Sequence, residues 1–332
     1  MNEPSGQSGL LRTQRFAPLF VTQFLGALND NVIKNALVVL LTFHSANWTT
    51  LMPEVLANLA TGIFILPFFL FSATAGQLAD KFDKAKLAQW VKMLEVLIVL
   101  VIGAGLALHS MAVLFCALFM LGLHSTLFGP IKYALLPQHL HAQELVGGNA
   151  LIEAGTFIAI LLGTLAGGML ASQAESSGLI TSVGLVIALV GYGASRFIPA
   201  APAPDDTLRI NRHFIHETWR TLQLPRSNRA VFLSILGISW FWLYGALLLA
   251  QFPAYARHVL GGEESAVTLL LATFTVGISI GSLLCERLSA GRVELGLVPL
   301  GSMGLTLFGL DLALASWTVP TATSPLALAE LL

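Results

Sequence analysis

Residues 28–35 read LNDNVIKN, an acid and a base four positions apart among three asparagines, inside a run from Phe16 to Phe43 that is otherwise almost wholly apolar. Residues at i and i+4 share one face of a helix, and acid before base is the favourable order for a pair. Asp30 and Lys34 therefore either neutralise each other or present separate charges to something that enters from outside the helix. Asn29, Asn31 and Asn35 speak for the second reading, because self-neutralisation needs no further polar groups. Elsewhere, Lys132 and Glu153 stand in two other apolar runs, Glu153 with Asn149 a turn before it. A cross-helix Lys132–Glu153 pair would be a gate or a static brace. His124, in the same run as Lys132, either carries protons or fills a hydrogen-bonded structural place.

The rest of the chain explains why such groups are informative. Of its 332 residues, 55% are hydrophobic and 11% charged, and the mean hydropathy is +0.78. An ordinary soluble domain carries about 25% charged residues, so the solvent of this chain is lipid. The balance of 17 Lys and Arg against 18 Asp and Glu has none of the basic excess that nucleic acid demands. An ionisable side chain at the centre of a bilayer costs about 2.5–3.5 kcal/mol on insertion scales, so each one needs a reason. Cys116 and Cys285 fall in apolar runs far apart, without metal-ligand spacing, and read as buried small hydrophobes. The polar N-terminus lacks the apolar core and small-residue cleavage site of a removable signal peptide.

About 20 apolar residues span a bilayer. Nine runs meet that length: Phe16–Phe43, Val55–Leu78, Leu87–Leu108, Met111–Leu135, Gly148–Ala171, Leu179–Phe197, Ala230–Pro253, Ala266–Cys285 and Leu295–Ser316, with the start of a tenth at Leu326. Asp30 is 14 residues into the first, about 21 Å along a helix and so near mid-membrane. Basic residues gather in every second loop: Arg12 and Arg15 before the first span; Lys81, Lys84, Lys86 and Lys92 after the second; Lys132 at the end of the fourth. Arg196, Arg209, Arg212, Arg220, Arg226 and Arg229 follow the sixth, and Arg287 and Arg292 the eighth, whereas the alternate loops hold only Arg257. The positive-inside rule then places the N-terminus, residues 1–15, in the cytoplasm.

The loop of residues 199–229 separates a six-helix half, 16–198, from the segment 230–332. Its PAAPAPDD stretch and the basic, amphipathic RINRHFIHETWRTLQ suit a linker ending in a helix on the membrane surface. GQLADKFDKAK (76–86) aligns without gaps to SLLCERLSAGR (282–292), matching Asp80–Lys81 with Glu286–Arg287 and Lys86 with Arg292. Two related halves follow from that repeat. Gly163, Gly167 and Gly168 offer small residues for close helix packing. Trp240, Trp242 and Tyr244 read as lipid-facing bulk or as the lining of an acyl-chain path.

The stretch 76–86 resembles the GxLaD(R/K)xGRR loop of the major facilitator superfamily at Gly76, Leu78, Asp80, Lys81 and Lys84, with Asp83 where that pattern has glycine. LNDNVIKNALVVLL, FGPIKYALLPQHL and GGNALIEAGTFIAILLGTLAGGMLA are similar to the bacterial lysophospholipid transporters of the superfamily, some of which are fused to a cytoplasmic acyltransferase and acyl-carrier-protein synthetase. The resemblance covers most of the first half and fades after residue 199. It implies an all-α membrane bundle of 6+6 design, here truncated to nine or ten helices, in the bacterial inner membrane. It also implies alternating-access transport of lysophospholipids for re-acylation, with the bilayer and such an acyltransferase, fused or separate, as partners. A zwitterionic headgroup would meet Asp30, Asn31, Lys34, Asn35 and Glu153. Gly76, Asp80, Lys81 and Lys84, with Glu286 and Arg287 in the repeat, would form a conformational latch, Asp80 docking on a helix N-terminus of the other half.

Rival readings are a proton-coupled exporter of amphiphiles with Asp30 as proton site, and a membrane anchor for the acyltransferase. His139, His141 and Glu144 in QHLHAQE imitate a metal site only superficially. Neither a GxxxxGK(S/T) phosphate loop nor an HxxxxD acyltransferase motif occurs, so no enzyme and no cofactor is expected.

Overall fold

The computed structural model describes residues 7–43, 52–173, 176–211, 213–261, 264–290 and 292–318. A short α1 (Gln7–Leu10) precedes the long helices α2 (Ala17–Phe43), α3 (Pro53–Lys81), α4 (Lys84–Ala107), α5 (Met111–His139), α6 (Leu145–Ala171) and α7 (Ser176–Ser195). After the small α8 (Phe214–Gln223) come α9 (Arg229–His258), α10 (Glu264–Leu288) and α11 (Leu297–Thr318). Nine helices among the described residues are long and apolar enough to cross a membrane. They correspond to the nine runs read from the sequence; the tenth, at Leu326, lies outside the described residues. The chain divides into two compact units, Met1–Leu222 and Gln223–Leu332.

In the first unit α2 is the central element, packed on α6, α7, α3 and α5, while α4 packs on α5 and α7. The close approach of α6 comes from its glycines. A Cβ on Gly163 would lie 2.7 Å from the Leu28 carbonyl oxygen, and one on Gly167 would lie 2.5 Å from that of Val32. Gly168, one step round the helix, would meet nothing within 4 Å. The small-residue stripe is thus a packing surface at Gly163 and Gly167 only, and it lies opposite the polar segment of α2.

Two apolar clusters fill this unit. One gathers Ile33, Leu37, Leu41, Ile98, Ile102 and Leu121; the other gathers Phe16, Leu19, Val91, Phe128, Ile131 and Leu135. On α4 the interval between them holds Lys92 and Glu95, and on α5 it holds His124. Both ionisable patches are therefore sealed above and below by hydrocarbon.

The first part of the 199–229 loop is docked rather than free. Lys84 N donates to the Ala201 carbonyl at 2.9 Å, Asp205 N to that of Asp80 at 3.1 Å, and Asn211 N to Gln77 Oε1 at 2.8 Å. These bonds satisfy the backbone that proline-rich sequence leaves unpaired. In α8, Phe214 packs on Phe71 with ring centroids 5.5 Å apart, while Ile215, Trp219 and Leu222 face outward.

The second unit begins with an Asn228 cap, its Oδ1 accepting from Ala230 N at 3.0 Å. Phe252 and Phe274 meet edge-on, and Tyr255 and Ser316 hydroxyls are 2.9 Å apart. Trp240 is exposed and stacks on Tyr244. Cys116 and Cys285 are exposed, not buried; on a membrane helix the outward face is as apolar as the inward one, so hydrophobic surroundings in sequence do not mark burial.

Candidate functional site

The middle of α2 sends its polar side chains to different neighbours. Asn29 turns to α4, where its Nδ2 donates to Glu95 Oε1 at 2.6 Å. Asp30 turns to α5: its Oδ2 accepts a short hydrogen bond from the Ser125 hydroxyl, and its Oδ1 is 3.6 Å from His124 Nδ1. Lys34 donates to Asn31 Oδ1 at 3.0 Å and sits 5.4 Å above the Phe64 ring of α3. Asn35 reaches α6, donating to Thr164 Oγ1 at 3.1 Å and to the Asn31 carbonyl at 2.8 Å. Among the ion pairs of the described residues none joins Asp30 to Lys34. Their i,i+4 spacing puts them on one face, but the hydroxyl and imidazole of α5 claim the acid and the asparagine and ring claim the base.

Behind this face lies a cluster that the spans in the sequence already contained. Lys92 and Glu95, three residues apart on α4, form a contact ion pair with side chains 1% and 0% exposed. The Lys92 ammonium lies where Gly26 of α2 and Gly191 of α7 leave room; a Cβ on either would sit 3.3 and 3.0 Å from Nζ. His124 bridges the two levels, with Nε2 3.3 Å from Glu95 Oε2 and Nδ1 facing Asp30. Lys92 is not a loop base: it lies buried well inside α4. The signal was present, since two charges within the run 87–108 are as costly as Asp30 and Lys34.

Glu153 and Lys132 do not make the expected direct pair among the described residues. Glu153 accepts a short hydrogen bond from the Tyr133 hydroxyl, and Lys132 lies over the Tyr133 ring at 4.8 Å. The tyrosine thus stands between acid and base. The apparent metal cluster also resolves differently: Glu144 takes a fork of hydrogen bonds from Arg15, at 2.5 and 2.6 Å, and one from His141 N at 2.9 Å. The bond to Glu144 pushes the Arg15 pKa up from its ordinary value. No group of three metal-ligating side chains occurs among the described residues.

The profile of the Major Facilitator Superfamily matches residues 19–332. The chain belongs to this superfamily. It is accordingly a secondary transporter and not an enzyme. Among its relatives are the lysophospholipid transporter LplT of Klebsiella pneumoniae, 29% identical over 291 residues, and that of Escherichia coli O1:K1, 28% identical over 295 residues. Each alignment covers 85% of this chain and 68% of the relative.

The superfamily loop takes a definite form here. α3 ends at Lys81, and Asp83, in the place of the usual glycine, caps α4 by accepting from Lys86 N at 3.0 Å. With φ of −58° at Asp83, the turn needs no left-handed residue. Asp80 is exposed, Lys84 is buried, and a Cβ on Gly76 would meet nothing within 4 Å. The repeat keeps its helix end, since Glu286 and Arg287 close α10, but then diverges: Ala290 has φ of 51° and α11 starts only at Leu297. Ser289 stands where the first copy has the capping Asp83, but its hydroxyl donates back to the Glu286 carbonyl at 3.2 Å and caps no following helix.

Proposed function

We propose that this protein moves lysophospholipids across the bacterial inner membrane by alternating access, from the outer to the inner leaflet, where an acyltransferase, fused or separate, restores the second chain. The observation that carries the reading is the separation of charges on α2. Asp30 and Lys34 lie near mid-membrane on one face without a direct ion pair between them, one held by Ser125 and His124, the other by Asn31 and Phe64. A phosphoethanolamine headgroup has the complementary pair, an ammonium for Asp30 and a phosphate for Lys34. Asn31 and Asn35 fix the backbone and side-chain geometry of that face, while the single acyl chain runs along apolar helix surfaces. The likeness to the two LplT proteins supports the substrate class. The alternating pattern of basic loops supports a cytoplasmic N-terminus, and the exposed Asp80 beside buried Lys84 supports a latch role for 76–86.

The test is a reconstituted vesicle assay. Labelled lysophosphatidylethanolamine should cross faster with protein than without, and Asp30→Asn should remove the difference. If the wild-type protein gives no acceleration, the lysophospholipid reading fails.

A second reading, export of amphiphiles in exchange for protons, draws on the contact of His124 with Asp30 and Glu95. It predicts that a pH gradient drives accumulation of a cationic dye, with no response to lysolipid.

A further inference from the structure

Where α4 begins and α7 ends, the two helices leave an open cleft of about 240 Å³ between them, lined by Gln89, Trp90 and Met93 of α4 and Tyr192 of α7. The two helix ends lie at one level, because the Lys84 amide donates to the Ala201 carbonyl just past α7. One turn nearer that end stand Lys86, four residues before Trp90, and Arg196, four residues after Tyr192. Residues four apart share a helix face, so both cations belong to the rim of the cleft. Arg196 donates to the Tyr192 hydroxyl at 3.1 Å, with its guanidinium 6.0 Å from that ring. Lys86 is exposed, and neither cation enters an ion pair among the described residues. The acids of these two elements are engaged elsewhere: Asp83 caps α4 at the Lys86 amide, Glu95 is turned inward onto Lys92, and α7 has none. Away from the rim the surface is wholly apolar, with Met93, Leu97 and Leu100 exposed along α4 and Val186 and Leu189 along α7. Ten residues separate Trp90 from Leu100, a hydrocarbon track about 15 Å long.

We propose that this cleft binds one anionic phospholipid of the adjoining leaflet, by the basic-loop pattern the cytoplasmic one, with its phosphate on Arg196 and Lys86 and one acyl chain between α4 and α7. Trp90 and Tyr192 with long bases beyond them have the arrangement of a membrane-interface belt, where rings sit at headgroup level and cations reach out to the phosphates. Basic pockets between membrane helices hold anionic headgroups in this way, and a guanidinium matches a phosphate with two parallel N–H groups. Two cations without an acid beside them repel the ammonium of a zwitterionic lipid, so phosphatidylglycerol is preferred to phosphatidylcholine. The site faces outward, apart from the Asp30–Lys34 face, and does not depend on the lysophospholipid reading. Its lipid is a resident of the α4–α7 seam rather than a transported molecule.

The experiment is photo-labelling of the full chain in detergent with phosphatidylglycerol that carries a diazirine on an acyl chain, followed by peptide mapping. Label should concentrate in residues 89–100 and 186–196. Unlabelled phosphatidylglycerol should displace it about tenfold more effectively than phosphatidylcholine, since each rim cation favours the anionic lipid. Label spread evenly over the outward faces of the helices, or displacement by phosphatidylcholine as effective as by phosphatidylglycerol, overturns the proposal. Lys86→Gln combined with Arg196→Gln changes two exposed side chains and should weaken phosphatidylglycerol binding about tenfold. A double variant that holds the lipid as tightly as the wild type also overturns it. The competition in wild-type protein decides the matter whether or not that variant folds.

Discussion

The polar middles of α2 and α4 make a controlled comparison. Each helix carries an acid and a base at a spacing that permits pairing, four residues apart in one and three in the other. On α4 the pair closes: Lys92 and Glu95 meet directly, dry, with glycines of α2 and α7 making room for the ammonium. On α2 the pair stays open, because Ser125 and His124 approach the acid while Phe64 and Asn31 hold the base. Spacing on one helix therefore sets what can pair, and the neighbouring helices decide what does. A closed pair is a structural element. An open pair leaves each charge accessible to a partner from outside the helix, which is why the proposed substrate site is placed there.

The largest effect should come from breaking the closed pair. Glu95→Gln leaves Lys92 charged without its partner in a dry site, at a cost of about 3–5 kcal/mol, read as a loss of thermal stability in detergent. Lys92→Met combined with Glu95→Leu should recover only part of that loss, since it removes the stranded ammonium but leaves the Asn29 amide without its acceptor. A smaller effect should follow from Gly167→Val, which forces α6 away from the Val32 carbonyl; overpacking of this kind costs about 1–3 kcal/mol. Gly168→Ala, next to it, should leave thermal stability unchanged, because its Cβ has open space. Opening the Tyr133 bridge should matter less again: Tyr133→Phe removes one hydrogen bond to Glu153, about 1 kcal/mol, measured as a shift in the unfolding midpoint. Arg15→Gln should be the mildest, at about 1 kcal/mol or less, since the Arg15 side chain is 31% exposed and screened by solvent.

The same comparison explains what could be read without coordinates. The helices were legible because nine apolar runs are each about long enough to cross the hydrocarbon core, and the packing role of Gly163 and Gly167 followed from their four-residue spacing. Asp30 and Lys34 stood out because charge in such a run is conspicuous. Lys92 and Glu95 are just as conspicuous, but Lys92 follows the loop bases Lys81, Lys84 and Lys86 so closely that in sequence it reads as one of them. What no sequence pattern could supply was the third partner. Ser125 and His124 are 95 and 94 positions from Asp30 and meet it only because α5 packs beside α2. Tyr133 is adjacent in sequence to Lys132, yet its insertion toward Glu153 depends on where α6 lies. Local pattern reports which faces are polar; the assignment of each polar group to a neighbour is a property of the assembled bundle.

The central claim is that Asp30 and Lys34 act separately, each on one charge of the substrate. The charge-swapped variant Asp30→Lys with Lys34→Asp tests it most directly, in vesicles that report uptake of labelled lysophosphatidylethanolamine. Transport should be lost as fully as in Asp30→Asn, because a lysine then faces Ser125 and His124 and an aspartate lies over the Phe64 ring. Transport at the wild-type rate would instead make the two residues a self-neutralising pair.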